Sequence, residues 1–300
     1  MAQAATAQRT KGPLVWLDMD QQELDDAYDQ AKYAPNMETT ARRRAAISEL
    51  ARKRLGQPKR FAYGKAEIEA LDLYPARQPN APIVVFTHGG AWRNGVAKDN
   101  AFAAEMFVNA GANFITIDFN SVIDVGGDLM VLADQVRRAV AWVYNNAASF
   151  SGDRERLYVI GHSSGGHLTG CLLTTDWSRY GLPQTIIKAG VCSSGMYDLE
   201  PVRLSARSKY VAFTDEIVEE LSSQRHLDRL HCPIVVAHGT DETPEFQRQA
   251  RDFAAAVKAA GKPIEFIVAA DYNHFEMAEL LANPYSLTGH AALKVMQLGG

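Results

Sequence analysis

From residue 60 onward, short apolar runs alternate with stretches whose apolar positions recur at helical spacing. Ile83–Thr87 is a continuous, β-branched-rich run, the pattern of a strand buried on both faces. Asn113–Phe119, Leu157–Ile160, Ile186–Cys192 and Ile234–His238 read the same way, and Ile264–Val268 reads as a last strand. Glu67–Tyr74 alternates apolar and polar positions, so it reads as a strand with two different faces. Between them, Asp128–Asn146 has apolar residues at helical spacing: Leu129, Val131, Leu132, Val136, Val140, Trp142 and Val143. Helical patterns follow the last strand up to Gln297. This alternation predicts an α/β fold: a mostly parallel central sheet flanked by helices.

Residues 14–60 read differently. Asp20–Ala31 is acidic and helical, and Thr39–Leu55 has helical spacing with Arg42, Arg43 and Arg44 on a solvated face. Between them Pro35 disfavours helix at Ala34, so Tyr33–Met37 is an irregular crossing segment. The expected division is therefore a tail and helical arm over 1–60, with the arm packed on a core, and a catalytic domain over 61–300. An arm that crosses a sheet is placed to line a pocket. The irregular stretch from Tyr197 to Asp228 is expected to form a small lid between two strands.

Composition narrows the class. The chain has 300 residues, 47% hydrophobic and 22% charged, enough to bury a large core. A net charge of −4 argues against nucleic acid as a partner. No apolar run approaches the ~20 residues of a membrane span. Met1–Pro13 lacks the apolar centre of a secretion signal and reads as a flexible tail. Cys171, Cys192 and Cys232 sit in apolar surroundings and read as buried thiols of a reducing, cytoplasmic compartment. Nothing resembles a metal-ligand cluster, and no cofactor is expected. The partner is a small molecule; a homo-oligomer is compatible with the composition.

In a doubly wound sheet, ligands collect at the carboxyl ends of the strands. The residues just after each apolar run are therefore informative. After Ile83–Thr87 comes His88-Gly89-Gly90-Ala91-Trp92. After Leu157–Ile160 comes Gly161-His162-Ser163-Ser164-Gly165. After Ile234–Ala237 comes His238-Gly239-Thr240-Asp241-Glu242, and after Ile264–Ala270 comes Asp271-Tyr272-Asn273-His274. A Gly-x-Ser-x-Gly match alone arises by chance in roughly one chain in ten of this length. A serine, a carboxylate and a histidine in that order, each at a strand end, are the order of the α/β-hydrolase triad. Ser163 is the expected nucleophile and His274 the expected base. The acid is Glu242, four positions after His238, with Asp241 as the alternative. The Gly89–Ala91 turn and the N–H of Ser164 at a helix start offer donors for a developing oxyanion. His88, His162, His167 and His238 read as structural.

The motifs also carry a family resemblance. His88-Gly89-Gly90-Ala91-Trp92-Arg93, Gly161–Leu168, Thr175-Asp176-Trp177, Ser194–Pro201, Thr243-Pro244-Glu245-Phe246 with Gln249, and Asn273-His274-Phe275 resemble those of kynurenine formamidases (arylformamidases) and related small carboxylesterases. The resemblance runs from about Ile83 to Met277. It implies Ser163 as nucleophile, His274 as base, and Gly89, Gly90 and Ser164 as oxyanion donors. In similar formamidases an aspartate stands directly before the Ser/Thr-Pro-Glu-Phe stretch as the acid; here that position is Glu242. Ser222-Ser223-Gln224-Arg225-His226 also departs from the family's usual Ser-Pro.

The expected activity is metal-independent serine hydrolysis of a small amide, an aryl formamide or related aryl amide, through an acyl-enzyme. A small carboxylic ester is the alternative substrate, and a catalytically inactive binding protein on the same scaffold is a second alternative. Trp92, Tyr33, Asn36, Met196 and Tyr197 are the candidate substrate contacts, an aromatic substrate being expected.

Overall fold

The computed structural model describes residues 10–299. The expected tail over Met1–Pro13 lies, up to residue 9, outside them. The arm opens on β1 (Leu14–Trp16) and β2 (Met19–Asp20), an antiparallel pair, followed by α1 (Gln21–Ala27) and α2 (Met37–Leu55). A purely helical arm was expected; the Leu14–Trp16 triplet instead pairs with Met19–Asp20 across a tight turn with Leu17 at φ 49°. Asp20 then caps α1 in a reciprocal capping box with Glu23. Gly56, at φ 88°, ends α2.

The core comprises β3 (Lys59–Ala62), β4 (Ala70–Tyr74), β5 (Ala81–Thr87), α3 (Ala104–Asn109), β6 (Asn113–Ile117), α4 (Leu129–Asn146), β7 (Gly152–His162), α5 (Ser164–Leu173) and β8 (Ile187–Ser193). It continues through α6 (Glu200–Leu204), α7 (Asp215–Leu221), β9 (Ile234–Gly239), α8 (Pro244–Ala259), β10 (Ile264–Ala269), α9 (His274–Leu280) and α10 (Leu287–Val295). Eight strands form one sheet in the order β10-β9-β8-β7-β5-β6-β4-β3. The pairs of β3 with β4 and of β4 with β6 are antiparallel and the others parallel. The α/β sheet expected from the sequence is present.

Alternate side chains of each strand feed two cores. Ile83, Val85, Leu157 and Val159 pack with α4 and α5, whereas Val84, Phe86, Tyr158 and Ile160 pack with α3 and α10. Burial on both faces is why these strands read as unbroken apolar runs. β4 was expected to alternate, yet all five of its residues are buried. Its polar residue, Asp72, is buried because Arg60 of β3 pairs with it at 2.8 Å. The expected lid segment 197–228 contains α6, α7 and short 3-10 turns rather than irregular chain alone.

The tightest packing lies at the turn between β7 and α5. A Cβ placed on Gly161 would stand 2.3 Å from the Gly165 carbonyl oxygen, and one on Gly165 would stand 2.0 Å from that of Thr87. Neither contact involves a flexible side chain, so the backbone itself would have to move. Gly165→Ala is expected to cost about 3 kcal/mol or more. Equilibrium denaturant unfolding checks this, and a loss below about 1 kcal/mol would contradict it.

Candidate active site

The β7–α5 turn presents Ser163 at φ 60°, ψ −129°. A β-carbon makes this region costly, and it persists only where surrounding structure enforces it. Here the Ser163 amide donates to the Ser193 carbonyl at 3.0 Å, and the Ser163 carbonyl accepts from the His167 amide at 3.0 Å. The side chain is thereby held at the carboxyl edge of the sheet.

His274 starts α9, directly after its cap. The Asn273 side chain accepts from the amides of Phe275 and Glu276, which fixes the turn. The His274 ring lies between the other two groups: Nε2 is 2.8 Å from Ser163 Oγ and Nδ1 is 2.7 Å from Glu242 Oε2. His274 and Glu242 are both buried. Phe246 and Phe275 meet the imidazole edge-on at 4.9 and 5.5 Å. Glu242 Oε1 accepts from Ser194 Oγ at 2.6 Å and from the Gly239 amide at 2.8 Å. Asp241, the alternative acid, is exposed; its amide is held by the Tyr272 carbonyl, and its carboxylate meets Thr240 Oγ1 at 3.4 Å rather than His274.

The Gly89–Gly90 turn runs beside the serine. A Cβ on Gly89 would lie 2.9 Å from Ser163 Cβ. Gly90 has φ 124°, and Ala91 and Trp92 also have positive φ. The Trp92 amide donates to Ser164 Oγ at 3.2 Å, tying this loop to the elbow. The arrangement can move a proton from Ser163 to a histidine whose far nitrogen faces a buried carboxylate.

A cavity of about 1050 Å³ opens on Ser163 and His274. The arm supplies part of its wall through Tyr28, Gln30, Met37 and Arg44; the 197–228 segment supplies Arg207 and Tyr210. Several expected substrate contacts are corrected here. Trp92 is 2% exposed, with Nε1 donating to His167 Nδ1 at 3.2 Å, so it is spent inside the protein. Met196 and Tyr197 are fully buried, and Tyr197 stacks on Phe253 at 4.2 Å. Tyr33 is exposed and lies outside the lining, while Asn36 bonds Glu276 and Asn273 instead of facing the cavity.

Gln30, Arg44 and Arg207 are lining residues that sequence reasoning missed as site residues. Only the expectations of an arm over the sheet and of a lid over 197–228 pointed their way. The Arg207 guanidinium lies 5.6 Å from the Trp92 ring and 5.9 Å from those of Tyr28 and Phe246. It donates to Tyr210 Oη and the Tyr28 carbonyl, while its Nε has no partner among the described residues. Arg44 Nε is likewise buried without a partner, and desolvation lowers its pKa. A second cavity, of about 670 Å³, contains none of the triad, and its Arg60 is already paired with Asp72 and Asp118.

The remaining histidines near the site brace it. His162 Nε2 donates to the His274 carbonyl at 2.7 Å, and His88 stacks on Phe119 at 4.2 Å. His238 Nδ1 donates to the Gly239 carbonyl at 2.9 Å. Burial pushes the thiols of Cys171 and Cys232 up to about 12, so neither is a thiolate at neutral pH. Among the described residues, no three His, Cys, Asp or Glu are grouped to hold a metal ion, and no helix is long and apolar enough to cross a membrane.

Fold and site together define an α/β-hydrolase. A family model, BD-FAE, matches residues 71–257, and the chain belongs to that family, on its kynurenine formamidase-like side. It is 31% identical to a kynurenine formamidase of Danio rerio over 94% of this chain and 98% of that one. It is 30% identical to a kynurenine formamidase of Salmo salar over the same shares. Esterase LipC of Mycobacterium tuberculosis is 28% identical over 68% of this chain and 56% of its own length. Among solved structures, a putative thioesterase from a Silicibacter species superposes with a TM-score of 0.79 at 24% identity, covering 92% and 99% of the two chains. Esterase B from Lactobacillus rhamnosis superposes at 0.69 with 14% identity, over 90% and 95%. At these identities the two structures speak to the fold alone.

His167 gives a pH test of the packing around the elbow. Its Nδ1 accepts from Trp92 and its Nε2 donates to the Leu221 carbonyl, so the ring is held neutral. Burial lowers its pKa to about 4. The unfolded chain therefore binds this proton first, and stability is lost as pH falls from about 6.5 towards 4. The contribution is on the order of 3 kcal/mol when complete. Unfolding free energies between pH 7 and 4.5 are expected to fall less steeply in His167→Gln than in wild type; parallel slopes would contradict the assignment.

Proposed function

We propose that the protein is a metal-independent serine hydrolase that cleaves a small aryl amide, an aryl formamide above all, through an acyl-enzyme. The single observation behind this is the buried chain Glu242–His274–Ser163, with both contacts to the imidazole under 3 Å. Ser163 attacks the carbonyl carbon as His274 takes its proton; Glu242 holds the ring and stabilises the imidazolium. The amides of Gly89, Gly90 and Ser164 receive the oxyanion, and each such donor is worth about 3 kcal/mol in the barrier. His274 then gives the proton to the departing amine, and water releases the acyl group by the reverse sequence. The formamidase names of the relatives that match nearly the whole chain support the amide; esterase relatives make a small carboxylic ester the second reading. Buried, unpaired thiols are in keeping with a reducing compartment.

Ser163→Ala is expected to lower kcat on formanilide at least about 10⁴-fold, and Glu242→Gln about 10³- to 10⁴-fold, with Asp241→Asn within about twofold of wild type. Comparing kcat/KM for formanilides and short-chain nitrophenyl esters separates the two substrate classes. Intact turnover in Ser163→Ala would falsify the mechanism.

Arg207 and Arg44, both in the lining of the cavity, favour a substrate with a carboxylate. Charge-assisted bonds of this kind are worth about 1.5–3 kcal/mol. A carboxylated formanilide should therefore exceed formanilide in kcat/KM by roughly tenfold or more. Arg207→Gln should erase most of that ratio; an unchanged ratio would remove Arg207 from substrate recognition.

A further inference from the structure

We infer that the N-terminal arm is a working part of the triad, Gln30 holding the carboxylate of Glu242 and Asn36 holding the turn that carries His274. The inference rests on the triad reading above and extends it to residues more than 200 positions earlier in the chain.

A carboxylate has about four lone-pair sites. On Glu242, Oε1 meets Ser194 and Gly239, and Oε2 meets His274 Nδ1 and Gln30 Nε2, the last at 3.4 Å. Gln30 is the one donor of the four that comes from the arm. It is 6% exposed, and its Oε1 also accepts from the Thr243 amide at 3.2 Å. Both ends of its amide are therefore bound to the acid loop, and a glutamine buried this deeply without partners would be costly. Six residues on, Asn36 Nδ2 donates to Glu276 Oε1 at 2.7 Å, and its Oδ1 accepts from Asn273 Nδ2 at 2.8 Å. Asn273 and Glu276 are the two halves of the capping box that starts α9 at His274. Tyr28 secures the segment: its hydroxyl donates to Glu245 Oε2 at 3.0 Å and accepts from Gln249 Nε2 at 2.7 Å. The arm thus grips the acid's loop and the base's turn at once, across the cavity mouth.

These are positioning residues, because they act through Glu242 and His274 rather than on the substrate. Their loss has a definite sign. Without the Gln30 donor, the carboxylate charge is less spread and the imidazolium of His274 is held more strongly. The pH at which His274 becomes a free base then rises, and looser geometry slows the step itself.

The test is the pH dependence of covalent labelling of Ser163 by a fluorophosphonate in the full chain, alongside kcat and KM on 4-nitrophenyl acetate. Gln30→Met is near-isosteric and lacks the donor. It is expected to move the acid limb of the labelling profile up by about half a pH unit and to lower kcat about tenfold, with KM within about twofold. Gln30→Glu puts a second carboxyl beside Glu242 and should move the limb further in the same direction. Asn36→Leu should lower kcat with little change in KM. Folded variants whose acid limbs and kcat match wild type, with only a lower melting temperature, would show that the arm merely packs and would overturn the inference. So would failure of both Gln30 variants to fold. A wild type that resists labelling would sink the hydrolase reading itself; labelling with unmoved limbs in the variants would sink only the role of the arm.

Discussion

The strained backbone at Ser163 is the constraint on which the rest of the site depends. A residue with a β-carbon at φ 60°, ψ −129° stays there only if its neighbours leave it no relaxed alternative. Gly161 and Gly165 make that possible by letting strand, turn and helix approach to distances at which any side chain would collide with backbone. Loop 88–95 is then pinned to the same turn through Trp92 and Ser164. The elbow therefore determines where the Ser163 side chain points, and also where the glycine amides beside it can stand.

The carboxylate of Glu242 organises the other half. A buried charge is tolerable only when its lone pairs are met. Its partners come from the ends of β8 and β9, from the start of α9, and from the arm. Four separate segments must therefore dock before the Glu242 carboxylate has all its partners. Assembly of the fold and of the Glu242–His274–Ser163 contacts are in this sense one event. The same logic accounts for the arm's otherwise unusual burial of Gln30 and Tyr28, both polar and both fully engaged.

Substrate choice belongs to a different layer. The cavity is shaped by the arm on one side and by the segment between β8 and β9 on the other, neither of which is part of the sheet. Loops and arms can vary while the sheet and elbow keep their geometry. The side chains of Arg44 and Arg207 in the lining of this space are the most specific chemical statement that the walls make.

Much of this was legible from order and periodicity alone. Unbroken apolar runs such as Ile83–Thr87 marked strands covered on both faces, and the polar residues following them marked the carboxyl edge where ligands collect. Ser163, Glu242 and His274 stood out because each follows such a run, and because a five-residue turn with glycines at its ends has a purely local cause. Side-chain direction was not legible. Trp92, Met196 and Tyr197 carry pocket-like chemistry, yet they are buried in the core, since an aromatic beside such a loop packs inward or outward according to partners distant in sequence, 75 residues away for Trp92. Gln30 and Asn36 show the converse. Their meaning comes from contacts spanning 212 and 240 residues, set by how the arm crosses the sheet. Local sequence dictated the strands, the elbow and the order in which Ser163, Glu242 and His274 follow them; only the packing of distant segments decided which side chains complete the site and which are spent holding it together.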